Sequence, residues 1–423
     1  MDIGAIPVDA EGDNMWFLKK IINVAGWDYW KEMANHTGEP IKIAIVDNGV
    51  RLNHEDLRDV IYHNAGEERY GRNGIDDDNN GKIDDFTGWD VADNDNNANP
   101  PLSRVTSSFF SHGTMVAGMS SASTDNDGIG IASLGLNTCI IPIKCVSDLD
   151  TSDAYYWYAW DGVRYAIAAG ADIINCSWSQ GSLTPGQQAI LDEAIGKGII
   201  IVASAGNVNP NDENPQKPVY PAAYEGVIAV GATTSEDKVW SQSRYGTFID
   251  VMAPGDNIYT TTAKSDNSYG SGSGTSFSAP IVSGFIGLML SREPDPQKVI
   301  SILKKGCDDI SIENPTKIGL MGAGRINIYS TLKILLEPEP QGLIDFNAHR
   351  EISIYPNPST GIIRVAAETV IEELVVIDLS GKEVAHLTVN GNTADLTAYH
   401  LKGLHIVQVK NQEGVFTARV YFQ

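Results

Sequence analysis

The sequence predicts an α/β protein: a doubly wound, mostly parallel sheet with helices on both faces, followed by a small all-β sandwich. Three observations carry this reading. Short apolar runs rich in β-branched residues recur at IKIAIVD (41–47), CIIPIKCV (139–146), ADIINCS (171–177), GIIIVASAG (198–206) and GVIAVGA (226–232), as strands buried on both faces do. Helix-like stretches around 153–169 and 186–196 separate them, and strand–helix alternation implies right-handed crossovers within one parallel sheet. Beyond residue 350 the pattern changes to short alternating runs divided by Ser-Gly, Asn-Gly and Glu-Gly turns, which suits a sandwich.

Composition bounds what such a chain does. At 423 residues, two or three domains are expected, and 42% hydrophobic residues supply a sizeable core. Lys plus Arg number 30 against 54 Asp plus Glu, a net charge of −24, which argues against nucleic acid or an anionic membrane as partner. No run approaches the roughly 18 apolar residues of a membrane span. Residues 1–20 lack the basic start and apolar centre of a signal peptide, leaving an intracellular protein or a mature form. Cys139 and Cys145 lie in one strand-like run whose six steps, roughly 3.3 Å each, hold them too far apart to bridge. With Cys176 and Cys307 they read as small core hydrophobes.

In chain order, an extended lead-in and an aromatic helix, AGWDYWKEMANHTG, precede the first strand. That strand ends at Asp47, before Asn48-Gly49, where ligands collect in open α/β folds; a turn cap is the plainer role for such an acid. Residues 64–101 form an acidic, Asn- and Gly-rich insertion containing NGIDDDNNGKIDD. Asp76, Asp78 and Asn80 alternate before Gly81, the Lys82 carbonyl follows, and Asp84 and Asp85 stand behind, a pattern that suits a Ca2+ loop. An EF-hand would carry Glu at the twelfth position, where Thr87 stands, and no flanking helix pair is evident, so a solvated acidic loop is the rival. Asp90, Asp93 and Asp95 form a second candidate cluster. His112 opens the small-residue helix SHGTMVAG, in which Gly113, Ala117 and Gly118 permit close packing against the sheet. Two strands end in small polar residues, at Ser177-Trp178-Ser179 and at Ser204-Ala205-Gly206-Asn207. Asn207 suits a turn, and its amide also suits an oxyanion donor. Finally, Gly274 to Pro280, GTSFSAP, leads into an apolar helix from Phe277 through Met289, so Ser276 sits at a helix mouth as either N-cap or nucleophile.

Together VDNGV, HGTMVAG, SAGN and GTSFSAP, in that order, resemble the subtilisin-like serine proteases over about residues 15–335. The resemblance implies a secreted serine endopeptidase with Asp47, His112 and Ser276 as catalytic triad and Asn207 as oxyanion donor, acting through an acyl-enzyme. It also implies that Ser177, Trp178 and Ser179 pair with substrate backbone as an added strand. Ser179 departs from the usual Gly. Val208 and Val219 fall in the S1 pocket and favour an apolar P1 residue, while Tyr155, Tyr158 and Trp178 border S4 or pack in the core. The rival class is a catalytically silent binding protein that keeps this fold.

Residues 336–350 read as a linker between a peptidase domain at 1–335 and a β-domain at 351–423. Tyr355-Pro356-Asn357-Pro358-Ser359-Thr360-Gly361 resembles the start of the C-terminal sorting domain of type IX secretion cargo, although His405 replaces a common Tyr and the end lacks the usual lysines. This resemblance implies a protein secreted by, or held on the surface of, a Gram-negative bacterium, with the secretion machinery as partner of the tail; a monomer acting on protein or peptide substrates is expected. A carbohydrate- or protein-binding appendage is the alternative for the tail. The inhibitory prodomain usual in such proteases has no counterpart before residue 41.

Overall fold

A computed structural model describes residues 12–337 and 352–422, apart from 23–25, 35–37, 70, 102, 106, 125, 127, 151–155, 157, 183, 209–213, 356–358, 379–380, 398–400 and 413. The chain forms two compact units, Met1–Leu336 and Glu337–Gln423. Most of the expected linker, the centre of the YPNPSTG stretch and Tyr155 lie outside the described residues.

The first unit is built on β1 (Ile41–Asp47), β2 (Trp89–Asp90), β3 (Thr138–Lys144), β4 (Ile173–Cys176), β5 (Ile200–Ser204), β6 (Val227–Thr233) and β7 (Val251–Pro254). They form one sheet in the order β2-β3-β1-β4-β5-β6-β7, every neighbouring pair parallel. The chain leaves β1 first toward β3 and then, from β4 onward, in the other direction, so the winding reverses at β1. The carboxyl ends of β1, β4 and β5 therefore stand side by side where an open sheet binds ligands. A hairpin of β8 (Ile258–Thr261) and β9 (Tyr269–Gly272), absent from the sequence reading, delivers the chain to the last long helix.

Helices α1 (Trp16–Ile21), α2 (Gly26–Ala34), α3 (Ala65–Glu68), α4 (His112–Ser121), α5 (Ala159–Ala168), α6 (Pro185–Gly196), α7 (Thr275–Leu290), α8 (Pro296–Lys305) and α9 (Ile328–Leu336) surround this sheet. Two apolar cores, one on each face, hold the layers together. One joins α1, α2, α4, α7, α8 and α9 to the sheet through residues such as Phe17, Val116, Phe285 and Leu303; the other joins α5 and α6 through Val163, Ile167 and Leu191. Helix α7 is apolar almost all round because it is buried almost all round, as a central helix must be. In the stretch expected to be helical around 153–169, α5 covers Ala159–Ala168, while 153–155 and 157 lie outside the described residues. All four cysteines are free thiols.

The second unit contains β10 (Ile352–Tyr355), β11 (Ile362–Ile377), β12 (Glu383–Thr397), β13 (Gly403–Asn411) and β14 (Gly414–Phe422), all antiparallel. Register shifts between Ala366 and Ile371 interrupt β11, which pairs with β10 in its first half and β13 in its second. Such breaks bend long strands. The unit is the small β-sandwich that the alternating pattern predicts, closed over Ile363, Val365, Leu374, Val376, Val407, Val409 and Phe422. His405 is buried there, edge-on to Phe422 at 5.5 Å between ring centroids.

Candidate active site

Asp47 ends β1 and is fully buried. Its carboxylate accepts the Asn48 N–H at Oδ1 (2.8 Å) and His112 Nδ1 at both oxygens (2.9 and 3.0 Å). His112 reaches it because α4 starts unusually close to the sheet. A Cβ on Gly113 would lie 2.3 Å from the Gly49 carbonyl oxygen, so only glycine permits this approach. Asn48 then fixes the helix start: its Oδ1 accepts the Gly113 N–H at 2.9 Å, and its Nδ2 donates to the Phe109 carbonyl. Burial opposes a charge on the His112 ring, but the charge and hydrogen bond of Asp47 outweigh it and hold the imidazole above its ordinary value.

Ser276 lies in the first turn of α7. Pro280, four residues on, has no N–H to give the Ser276 carbonyl, and that oxygen instead accepts Ser177 Oγ at 2.8 Å. Ser276 Oγ donates back to the Ser177 carbonyl at 3.1 Å. Ser177 Oγ is itself an acceptor for Asn175 Nδ2 (2.9 Å), and Asn175 Oδ1 accepts Ser283 Oγ (2.9 Å), so a buried polar ladder ties β4 to α7. Among the described residues, Ser276 Oγ makes no hydrogen bond with His112; the serine hydroxyl is turned to Ser177, an arrangement common in free enzymes, where catalytic contacts tighten on substrate binding.

Asn207 follows β5 and is exposed. Its Oδ1 accepts both the Thr275 N–H (3.0 Å) and Thr275 Oγ1 (2.9 Å), and Thr275 Oγ1 accepts the Gly206 N–H (3.1 Å). With its oxygen committed twice, the amide of this exposed residue keeps Nδ2 as its remaining polar group. A Cβ on Gly274 would stand 3.1 Å from that Nδ2, so glycine keeps the space before it open.

Of the residues assigned to substrate binding, Ser177 is buried at the centre of this ladder and Ser179 is exposed. Val219 and Ser179 flank Gly206 from two sides, at 2.9 and 3.4 Å from where a Cβ would be. Val208 is half-buried, its N–H bonded to the Gln242 carbonyl. Trp178 is buried, edge-on to Trp160 with centroids 5.4 Å apart, and belongs to the core, while Tyr158 is exposed.

The insertion gathers some of its acids and not others. Asp78 and Asp85 approach Glu67, a residue sequence reading passed over because it lies nine or more positions before the acidic run. Asp76 instead accepts the Asn80 and Gly81 N–H groups, Asp84 accepts those of Asn73 and Gly74, and the Lys82 N–H bonds to Asn80 Oδ1. Glu67 and Asp85 are fully buried, yet among the described residues no lysine or arginine pairs with Glu67, Asp76, Asp78, Asp84 or Asp85. Lys82 points away, to Asn94 Oδ1 and the Trp89 ring. Burial pushes Asp85 up from its ordinary value against hydrogen bonds from Tyr165, Asn64 and Asn80. Buried carboxylates without a counter-charge are costly, so this donor set, all oxygen, fits a hard cation. Asp90 and Asp93 assemble with Asp148 rather than Asp95, and Lys144 Nζ occupies their centre, bonded to Asp90, 2.7 Å from Asp148 and 3.4 Å from Asp93.

A doubly wound parallel sheet that carries an acid–imidazole pair at one strand end and a serine at a helix mouth fits the serine hydrolases. Comparison with known proteins narrows it. The profile described as "Subtilase family" matches residues 38–303, and that of a "Secretion system C-terminal sorting domain" matches residues 353–423. Thermitase of Thermoactinomyces vulgaris is 33% identical over 297 residues, covering 70% of this chain and 90% of its own. The major intracellular serine protease of Bacillus subtilis is 32% identical over 258 residues, covering 61% of this chain and 70% of its own. A solved structure titled as proteases from Pseudoalteromonas arctica superposes with a TM-score of 0.59 at 24% identity, covering 78% of this chain and all of its own, and speaks for the fold. The chain belongs to the subtilase family: it is a serine protease of subtilisin-like fold that carries a type IX secretion sorting domain. That tail indicates export or the cell surface.

Proposed function

We propose that the chain is an endopeptidase acting through an acyl-enzyme, with Ser276 as nucleophile, His112 as general base and then general acid, and Asp47 holding the imidazole tautomer. The bond between His112 Nδ1 and buried Asp47, at 2.9 Å, carries the reading, because it leaves Nε2 as the only ring nitrogen able to take a proton. Ser276 Oγ attacks the scissile carbonyl and passes its proton to His112 Nε2. The Asn207 amide and the Ser276 N–H at the start of α7 receive the oxyanion, and the imidazolium then protonates the leaving amine. Water repeats the sequence to release the acid. Each of these groups comes from one chain, in keeping with a monomer acting on peptide substrates. Val219 and Val208 beside Gly206 favour an apolar P1 residue, and digestion of a peptide library tests this: a strong Arg, Lys or Glu preference refutes it.

The uncompensated Glu67, Asp78 and Asp85, with Asn64 and Asn80, support Ca2+ as a structural ion of the insertion, where it would supply the missing positive charge. The sorting tail supports delivery across the envelope of a Gram-negative bacterium. The decisive experiment is Ser276→Ala. The variant should fold as the parent does, while casein hydrolysis and fluorophosphonate labelling disappear; retained turnover would overturn the assignment.

A further inference from the structure

The Asp47–His112 pair has a polar neighbour that the reaction above leaves unused. Tyr156, just ahead of α5, places its hydroxyl 3.2 Å from Asp47 Oδ1 and 3.2 Å from His112 Nδ1. Its half-buried ring lies 6.4 Å from the imidazole at 61° and 5.5 Å from the Phe109 ring, centroid to centroid. The Nδ1 proton is committed to Asp47, so of these two groups only Asp47 Oδ1 is free to accept the phenol proton. That oxygen already holds the Asn48 N–H and the imidazole N–H. Burial, and next the charge of Asp47, push the phenol well above its ordinary value, so the hydroxyl stays protonated and acts as a donor.

We propose that Tyr156 is a positioning residue for the acid–base pair: its hydroxyl is the third donor on Asp47 Oδ1, sharing the carboxylate's charge and fixing the carboxylate plane against which His112 is oriented. The inference rests on the triad reading. Among the described residues, few titratable groups face the pair. Asp47 comes from β1 and Tyr156 from the approach to α5. The thiols of Cys145, after β3, and Cys176, in β4, lie near Asp47 and are kept neutral by burial first and by its charge second. Two uncharged rings also lie here, Phe109 against Tyr156 and Phe277 at 6.0 Å from the imidazole.

The sign of the effect follows from charge sharing. A carboxylate that also binds a phenol attracts the imidazolium less, so deleting the hydroxyl raises the His112 midpoint. Since His112 must be neutral to act as base, activity in the variant is lost at a higher pH as acid is added. The test is Tyr156→Phe in the full chain, which keeps the ring and its packing. The acid limb of kcat/KM should move up by about 0.5 pH unit, with kcat down about threefold and KM unchanged. An unmoved acid limb overturns the proposal, and so does a change confined to KM, which makes Tyr156 a substrate contact. Ser276→Ala, assayed alongside, separates the two readings: if it still hydrolyses casein the triad itself fails, whereas if it is inactive and Tyr156→Phe is unaltered only the role of Tyr156 falls. For a variant too slow for kinetics, NMR titration of His112 in the Ser276→Ala background, with and without Tyr156→Phe, reads the same shift without turnover; equal midpoints overturn the proposal there too.

Discussion

Two carboxylate clusters sit in or beside the acidic insertion, and they differ in where the opposing charge comes from. Asp90, Asp93 and Asp148 surround the ammonium of Lys144, which is fully buried. Burial opposes that charge, but hydrogen bonds to Asp148 and Asp90 outweigh it, so the lysine is ionised. Among the described residues, Glu67, Asp78 and Asp85 meet only neutral donors: the amides of Asn64 and Asn80, the Tyr165 hydroxyl at 2.6 Å and main-chain N–H groups. A count of acids treats both clusters as cation sites. Subtracting the resident lysine leaves one.

The largest effect expected from this contrast is on Lys144. Replacing it in Lys144→Met keeps volume but leaves Asp90, 1% exposed, without a partner, and losing one member of a buried pair costs about 3–5 kcal/mol. Denaturant unfolding at pH 7 measures it. Burial already raises Asp90 to about 6 beside Lys144, and loss of the ammonium should raise it further, so the deficit of the variant shrinks as the pH falls through that higher midpoint. A loss below about 1 kcal/mol would mean that Lys144 is not the closing charge.

Chelation acts on the other cluster. A bound ion at 100 times its Kd contributes about 2.7 kcal/mol, so excess EGTA should lower the thermal midpoint of the parent, and of Lys144→Met by the same free energy if the clusters are independent. A midpoint that ignores the chelator removes Ca2+ from the insertion. A chelator effect that grows in Lys144→Met would instead put an ion among Asp90, Asp93 and Asp148 once the ammonium is gone, so that the two clusters differ only in the resident lysine.

The same distinction separates what the sequence makes legible from what it hides. Buried strands announce themselves because residues such as Ile43, Ile45, Ile140 and Ile201 are apolar without interruption, and VDNGV, HGTMVAG, SAGN and GTSFSAP mark the ends of β1 and β5 and the starts of α4 and α7. Those stretches combine local pattern with backbone necessity: Gly113 and Gly274 are required by close approach and Pro280 by the bond its missing N–H releases. The contributions of Glu67, Lys144 and Tyr156 come from pairings 18, 54 and 109 residues apart, to Asp85, Asp90 and Asp47, and no local period encodes them. Trp178, which the sequence leaves between S4 and the core, packs edge-on against Trp160, a contact that no local period encodes either. The hairpin β8–β9 escaped because TTTAKSDNSYGSG carries turn residues but little apolar alternation.

The smallest expected effect tests whether burial, rather than distance, sets the weight of each contact within the lysine cluster. Asp148 lies 2.7 Å from Lys144 Nζ, well within ion-pair range, yet its side chain is 47% exposed, whereas Asp90 is almost fully enclosed. Water already solvates Asp148, so the pair gains little over separate hydrated charges. The main-chain N–H of Asp148, which donates to Asp93 Oδ2 at 2.8 Å, survives truncation of the side chain and keeps the loop in register. Asp148→Ala should therefore cost about 0–1 kcal/mol by denaturant unfolding, and raising the salt to 1 M should shrink that difference further. A loss of about 3 kcal/mol, comparable to that of Lys144→Met, would show the three carboxylates acting as one closed unit. The ammonium would then need its full complement of acceptors, and exposure would no longer rank them.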